Sequence, residues 1–207
     1  MARTPKPSGL KRPVAKLPER RTFLIFTEGE VTEVEYLNAL KSLPEVKTAN
    51  AVDLQIASQR GVPLTLVELA VEAQSKNDEI DQIWCVFDVE WPKHHPHLNE
   101  AKLLAQNHGI QLAISNPNFE LWLILHHANT EGFLDNDGAR RLRRDHDGVA
   151  DKHLDHAVYL PLRAAATMRA IDLDAKHRND GTKFPSDNPS SGMHRLLRAI
   201  EPGLLEV

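Results

Sequence analysis

The sequence has few of the features that assign a chain to a familiar class at once. It contains one cysteine in 207 residues, which excludes an internal disulfide framework and is typical of a reducing compartment. No apolar run approaches the roughly 20 residues of a membrane-spanning helix, and the N-terminus has no hydrophobic signal core. We therefore expect a cytoplasmic protein without a membrane partner.

Several catalytic and binding signatures are also missing. There is no G-x-x-x-x-G-K-[ST] loop, no G-x-S-x-G elbow and no G-x-G-x-x-G fingerprint. These absences argue against a P-loop NTPase, an α/β-hydrolase and a dinucleotide-binding fold. The formal net charge of −4 does not indicate a general nucleic-acid binder, so the local distribution of charge is more informative.

The 11 histidines lack the thiolate partners and the spacing of a structural zinc site. Most are best interpreted as solvated loop residues. One histidine within residues 94–97 is close enough in sequence to Glu90 to act as an acid–base group or a phosphate ligand. His126 and His127 are expected to end a helix, where a positive charge is favourable.

What the sequence does contain is an alternation of strand and helix patterns. Strands are predicted over residues 22–27, 51–57, 82–88 and 111–115, and helices over residues 32–41, from 63, 99–108 and 118–127. This order predicts an α/β fold with a parallel sheet covered by helices, in which the strand at 51–57 lies nearest an edge.

Local signals predict where two of the helices begin. Thr32 and Glu35 fit a capping box, in which Thr32 is the N-cap and the Glu35 side chain reaches back to the backbone N–H of Thr32. Asn116 is predicted to cap the helix at 118–127, with Pro117 at its first position.

The chain divides into an arm, one domain and a short tail. Residues 1–21 form a flexible basic arm, which either contacts phosphates or is a solvated tail. Residues 22–200 form a single domain with a core at 22–128 and a helical C-terminal extension at 129–200, and 201–207 form the tail. Helices are predicted at 159–176 and 193–200, with Ser190 or Ser191 capping the second. Residues 129–156 are polar and carry a basic cluster, Arg140, Arg141, Arg143 and Arg144, which is either a phosphate contact or a solvated surface.

Acidic residues follow the first and third predicted strands. Glu28 and Glu30 come after the first, and Asp88 and Glu90 end the third. Ligands of parallel sheets bind beyond the carboxyl ends of the strands, and carboxylate oxygens suit Mg²⁺ and related ions. The pattern indicates a divalent-metal site for phosphoryl transfer or phosphodiester hydrolysis. The alternative is a set of solvated rim acids, and Glu33 fits either this site or a helix N-terminus.

Glu120 stands alone in an apolar helix, where an uncompensated carboxylate is costly to bury. A position near the helix N-terminus, at the same sheet edge as the other acids, would ease that cost. The residue is interpreted as functional, with a buried pair to an arginine as the alternative.

Four motifs together resemble the RloB-like family. They are RTFLIFTEGEVTEVEY at residues 21–36, IWCVFDVE at 83–90, SNPNFELWLILH at 115–126 and NPSSGMHRL at 188–196. They occur in the family's order and span most of the chain.

The resemblance implies a Toprim-like fold with a four-stranded parallel sheet flanked by helices. It assigns Glu28 as an acid–base group or metal ligand and Asp88 and Glu90 as metal ligands, although Glu90 stands where the family usually has Asp. Lys152 falls where the family tends to have a lysine that stabilises phosphate charge, and His194 belongs to the C-terminal motif.

The predicted function is a Mg²⁺- or Mn²⁺-dependent Toprim-type nuclease acting on DNA or RNA in antiphage defence or restriction. The predicted catalytic residues are Glu28, Asp88, Glu90, Glu120 and Lys152, surrounded by Glu30, Glu33 and His194, with Arg140, Arg141, Arg143 and Arg144 binding nucleic acid. The alternative, favoured by the D-x-E pair, is a weakly active or inactive module that docks on an ATPase or restriction protein. Nucleotidyl transfer and a homo-oligomeric state stay open.

Overall fold

The computed structural model describes residues 21–49, 53–58 and 61–206, and it describes no side chains at 48–49 or 53–58. The basic arm predicted at residues 1–21 therefore lies outside the described part except for Arg21. The guanidinium of Arg21 donates a hydrogen bond to the carbonyl of Ala199 and lies over the ring of Phe23.

Four parallel strands form the sheet, as the sequence predicted. They are β1 (Thr22–Thr27), β2 (Asp53–Ser58), β3 (Gln82–Asp88) and β4 (Gln111–Asn116), in the order β2-β1-β3-β4. A two-residue strand, β5 (Ser190–Ser191), pairs antiparallel with the outer side of β4. The α/β class and the edge position of the second strand are confirmed, whereas the Toprim-like label stays a prediction. Ser190 and Ser191 lie in β5, and Gly192 occupies the N-cap position of the last helix in place of the predicted serine. The Ser191 hydroxyl still accepts a hydrogen bond from the backbone N–H of Met193, the first residue of that helix, at 3.5 Å.

Helices cover both faces of this sheet. They are α1 (Thr32–Ser42), α2 (Pro44–Ala49), α3 (Pro63–Lys76), α4 (Leu98–His108), α5 (Glu120–His127), α6 (Asn136–Asp147), α7 (His156–Tyr159), α8 (Arg163–Asp180) and α9 (Met193–Ile200). A 3₁₀ turn at Leu160–Leu162 joins α7 to α8. The C-terminal extension is therefore helical, as predicted. Within the described ranges, no helix has the length and apolar character needed to cross a membrane.

Two apolar cores lie on opposite faces of the sheet. Helices α3 and α4 enclose one, and α1, α5, α8 and α9 contribute to the other, so the second core joins both predicted parts of the domain. Residues Ile83–Phe87 of β3 are all buried, as expected for a strand covered on both faces. Burial also raises the pKa of the Cys85 thiol to about 12, which agrees with a structural role.

The predicted capping box at the start of α1 is wrong. The helix begins after Val31 without a side-chain cap. The hydroxyl of Thr32 instead donates to the carbonyl of Lys152 at 2.6 Å, and the Glu35 carboxylate accepts a hydrogen bond from the backbone N–H of Leu154 at 3.0 Å. Contacts with a segment more than a hundred positions away have replaced the local pattern, and they fix that segment against α1.

Asn116 and Pro117 do not begin α5, which starts at Glu120. Asn116 is the last residue of β4, and its side-chain N–H₂ donates to the carbonyl of Pro185 and to the carboxylate of Asp187. The prediction failed because the same residue types that cap helices also bond to distant loops.

His126 does not supply the predicted positive charge at the end of α5. It is 1 % exposed, and burial lowers its pKa to about 3, so the ring is neutral. Its Nδ1–H donates to the carbonyl of Trp122 at 2.8 Å, and Nε2 accepts from the Tyr36 hydroxyl at 3.1 Å. The ring is therefore a bonded part of the core.

Candidate metal and phosphate site

A cavity of about 640 Å³ opens beyond the carboxyl ends of β1 and β3. Its acidic lining residues are Glu28, Glu30, Glu33, Asp88, Glu90, Glu120, Asp137 and Asp151, and its basic lining residues are Arg140, Arg141, Arg143, Arg144 and Lys152. The structure thus brings together every predicted site residue except His194. Acids from the sheet edge and cations from α6 and the segment at 151–154 share one cavity.

Pairing between β1 and β3 places Glu28 and Asp88 next to each other. The backbone N–H of Glu28 continues the ladder by donating to Val86 at 3.0 Å. The backbone N–H of Asp88 then donates to Oε2 of Glu28 at 3.3 Å. Oδ1 of Asp88 is buried and has no hydrogen-bond partner among the described residues. A buried carboxylate oxygen in this state is costly unless a ligand satisfies it.

Glu90 reaches the same cavity by a turn and not by continuation of the strand. β3 ends at Asp88, and Glu90 has a φ of 68°, a left-handed conformation that is uncommon for residues other than glycine. Its backbone N–H donates to the carbonyl of Pro117 at 2.8 Å, which ties the turn to the short segment between β4 and α5. The side chains of Asp88 and Glu90 both line the cavity even though the strand geometry is lost between them.

The carboxyl groups in the cavity disfavour one another's ionisation. Burial, followed by repulsion from Glu33 and Glu120, raises the pKa of Asp88 well above its ordinary value. Burial raises the pKa of Glu33 to about 7, with repulsion from Glu120 and Glu28 adding to the shift and Lys152 opposing it. A cation bound among these groups would relieve both the repulsion and the desolvation.

Glycine at position 29 makes room for the Glu33 carboxylate. A Cβ at Gly29 would collide with the carboxylate atoms of Glu33. The requirement for glycine here is therefore close approach, because any side chain would displace Glu33 from the cavity.

Glu33→Gln is expected to flatten the dependence of stability on pH. The folded state raises the pKa of Glu33 from 4.5 to about 7, so the wild-type free energy of unfolding should fall as pH rises through this window. Glutamine cannot ionise, so the variant should match the wild type near pH 4.5 and exceed it by roughly 1–3 kcal/mol at pH 8. Urea denaturation at each pH measures the difference. An equally steep decline in the variant would contradict the assignment.

His95 makes a contact that the sequence did not predict. Its Nε2 lies 2.8 Å from Oε1 of Glu28, within ion-pair distance. The Glu28 carboxylate raises the pKa of His95. Its backbone N–H donates to Val89, which folds the histidine loop back over the strand end. The only signal in the sequence was that His95 is close to Glu90. His94 and His97 are also close to Glu90, so this signal did not single out His95.

Asn118 is a second residue that sequence reasoning missed. It lines the cavity and is 1 % exposed, yet neither Oδ1 nor Nδ2 has a hydrogen-bond partner within the described part of the chain. A buried amide with both groups unsatisfied implies a polar ligand or water in the cavity. Its position in the motif SNPNFE was the available signal.

Arg143 differs from the other arginines of α6. It is 3 % exposed, and its guanidinium donates to the Asp147 carboxylate at 2.9 Å and to the carbonyls of Asp151 and His153. Arg143 therefore stabilises the cavity wall that carries Lys152, and its donors are engaged within the protein. Arg140, Arg141 and Arg144 are exposed.

His194 lies away from the cavity, near the start of α9. It is 4 % exposed, its Nδ1–H donates to the carbonyl of Ser191 at 2.9 Å, and Nε2 lies 3.4 Å from Asp174. The structure therefore does not place it around the acids, and its hydrogen bond instead connects β5 to α9.

The acidic set fits a divalent cation bound partly through water. No three His, Cys, Asp or Glu side chains of the described residues are arranged to hold a metal directly. Mg²⁺ commonly uses one or two carboxylates and keeps several waters. Glu28 and the unpartnered Oδ1 of Asp88 supply that number, with the right oxygen chemistry.

Comparison with known proteins identifies a protein family that the chain matches. The family model described as RloB-like protein matches residues 23–200, which is most of the chain. No curated protein and no solved structure matches. The family match confirms the resemblance of the four motifs, and the chain belongs to the RloB-like family.

Proposed function

We propose that this protein is a Mg²⁺- or Mn²⁺-dependent nuclease that cleaves DNA or RNA in antiphage defence or restriction. One observation carries the proposal. The Asp88 carboxylate, whose Oδ1 has no hydrogen-bond partner among the described residues, lies beside Glu28 in the same cavity as the arginines of α6. Metal-dependent hydrolysis of a phosphodiester uses such an arrangement, in which acids bind the metal on one side and cations stabilise the phosphate charge on the other.

Glu28 and Asp88 are proposed to hold the ion directly, and Glu90 is proposed to hold it through a bound water. Once bound, the ion would neutralise phosphate charge and generate a nucleophilic hydroxide near neutral pH. Glu33, with a pKa of about 7, can accept or release a proton at that pH. Glu120 lies at the N-terminus of α5, where the helix dipole stabilises its charge.

The opposite wall of the cavity is proposed to hold the nucleic-acid backbone. The exposed Arg140, Arg141 and Arg144 can approach phosphates without giving up a buried bond. The Thr32 hydroxyl donates a hydrogen bond to the backbone carbonyl of Lys152, which holds the backbone of this residue at the cavity wall. The unsatisfied amide of Asn118 can orient a phosphate oxygen or a water.

A second candidate is a nucleic-acid-binding module with weak or no catalysis, docking on an ATPase or restriction protein. The absence of three metal-holding side chains among the described residues favours it. So does the left-handed backbone of Glu90, which replaces the usual Asp of the family.

Glu28→Ala tests the proposal against this alternative. Wild-type protein should bind Mn²⁺ or Mg²⁺ in calorimetry and cleave plasmid DNA or tRNA, and the variant should lose both while keeping the wild-type circular dichroism spectrum. Glu72→Ala is the matched control, because Glu72 is an exposed acid on α3 outside the cavity. Wild-type protein that binds no metal at millimolar concentration supports the module, and a Glu28→Ala variant that still cleaves rejects the site.

A further inference from the structure

Three aromatic rings form an exposed cluster next to the cavity. The rings of Trp91 and His94 have centroids 5.1 Å apart, and those of Trp91 and Phe133 are also 5.1 Å apart and nearly perpendicular. Phe133 is 59 % exposed, and Trp91 and His94 are half-buried. None of the three belongs to either apolar core. The cluster therefore contributes little to core burial.

The backbone of Trp91 connects the two walls of the cavity. Trp91 directly follows Glu90, on the acidic wall. Its backbone N–H donates to Oδ1 of Asn136 at 3.0 Å, and its carbonyl accepts from the backbone N–H of Asn136 at 3.3 Å. Asn136 begins α6, whose next residues include Asp137 and Arg140 on the basic wall. The backbone of Trp91, which carries the central ring of the cluster, therefore lies where the two walls meet.

We propose that Trp91, His94 and Phe133, the aromatic cluster, stack against an unpaired base of a single-stranded nucleic acid whose backbone enters the cavity. This inference rests on the proposed function, in which the ligand is a nucleic acid. It restricts that ligand to single strands, whose base faces are accessible. Every base has a π-face that can stack on an aromatic ring, whereas a duplex covers those faces.

Charge complementarity favours a nucleic acid over a protein as the occupant. Two sets of exposed cations belong to the segments that carry the rings: Lys93 lies between Trp91 and His94, and Arg140, Arg141 and Arg144 follow Phe133 on α6, where they line the cavity. Phosphates on either side of a stacked base would meet these cations. Stacking platforms beside a cationic groove are the general arrangement of proteins that bind single strands.

Tryptophan fluorescence provides a direct test. The chain has three tryptophans, and Trp84 and Trp122 are 4 % and 0 % exposed, so an accessible ligand should quench mainly Trp91. In Ca²⁺ buffer, a single-stranded oligonucleotide should quench the emission, and an abasic oligonucleotide with the same number of phosphates should bind without quenching. Trp91→Phe should retain binding and lose the quenching signal.

Phe133→Ala measures the contribution of the platform to affinity. Loss of one ring should weaken binding of the base-bearing strand about tenfold and leave the abasic strand unchanged. Leu103→Ala is the matched control, because Leu103 is also 59 % exposed but lies on α4 outside the cavity, and it should change neither affinity.

Equal affinity for the base-bearing and abasic strands, or an unaltered Phe133→Ala variant, would overturn the platform. Cleavage that persists in that case leaves the proposed nuclease intact. Base-dependent binding without cleavage in Mg²⁺ or Mn²⁺ keeps the platform and removes the nuclease. A cluster that serves a protein partner would give no quenching with any oligonucleotide.

Discussion

Asp88→Asn is expected to abolish metal-dependent cleavage and, at the same time, to make the folded protein more stable. The Asp88 carboxylate has a buried oxygen without a partner among the described residues, and burial, followed by repulsion from the surrounding acids, raises its pKa. Asparagine keeps the shape of the side chain and removes the charge. The change therefore removes a metal ligand and a source of repulsion together.

The expected magnitudes are large enough to measure separately. Loss of a ligand worth several kcal/mol corresponds to a fall in rate of about a thousandfold, since about 1.4 kcal/mol is a factor of ten. At pH 8 without metal, removal of the buried charge should stabilise the variant by about 1–2 kcal/mol, or roughly 2–8 °C in Tm. The raised pKa gives the sign of this difference in stability. The wild type is destabilised by ionisation of Asp88 as pH rises, and at acid pH, where Asp88 is protonated, the two proteins should be equally stable.

Differential scanning fluorimetry with and without Mn²⁺ checks this prediction beside a cleavage assay. Mn²⁺ should raise the Tm of the wild type and leave Asp88→Asn unchanged, because a ligand stabilises only the state that binds it. Asp78→Asn, at an exposed position outside the cavity, is the control and should behave as wild type. Retained cleavage, or a lower metal-free Tm in Asp88→Asn, would refute the assignment of Asp88.

Arg143→Ala should destabilise the protein strongly, whereas Arg144→Ala should not. Arg143 is paired with Asp147, and the side chains of both are 4 % exposed. Breaking a buried ion pair by removing one partner typically costs about 3–5 kcal/mol, because the remaining charge is uncompensated. The Tyr159 hydroxyl still donates to Asp147, but it carries no positive charge. An exposed arginine such as Arg144 should change stability by no more than about 0.5 kcal/mol.

Urea denaturation of the two variants gives the comparison directly. Arg143→Lys should recover little of the loss, because an ammonium cannot reproduce the fork that reaches a carboxylate and two carbonyls. Arg144→Ala should instead weaken binding of nucleic acid and lower its dependence on salt. Similar unfolding midpoints for Arg143→Ala and Arg144→Ala would show that the buried network contributes nothing.

The sheet and the acidic edge were predictable because they depend on short-range patterns. Apolar runs in β1 and β3 marked buried strands, and parallel strands necessarily bring their carboxyl ends to one edge. Convergence of Glu28 with Asp88 followed from that geometry. The strand at Ser190–Ser191 could not be predicted, because two polar residues carry no periodicity and their pairing depends on a distant partner.

Failures of prediction occurred where one side chain had several chemically equivalent uses. Glu35 fits a capping box, but it accepts a hydrogen bond from Leu154 instead. The arginines of α6 look alike in sequence, and only the fold shows that Arg143 is buried. Trp91 and Phe133 are far apart in the chain, so no local pattern indicates that their rings meet. In each case a tertiary contact determines the partner of the side chain, and the local sequence is compatible with several partners.

The side chain of Asn188 joins three parts of the chain that are far apart in sequence. Its amide donates to Asn116 and to the carbonyl of Leu134, and its carbonyl oxygen accepts from the N–H of Leu134, just before α6. A nascent chain on the ribosome therefore exposes its acidic strand ends well before the residue that secures the cationic wall has been synthesised. The cavity should therefore be complete only after the segment around Asn188 has been translated and has folded against Leu134, and the proposed affinity for nucleic acid can arise only then.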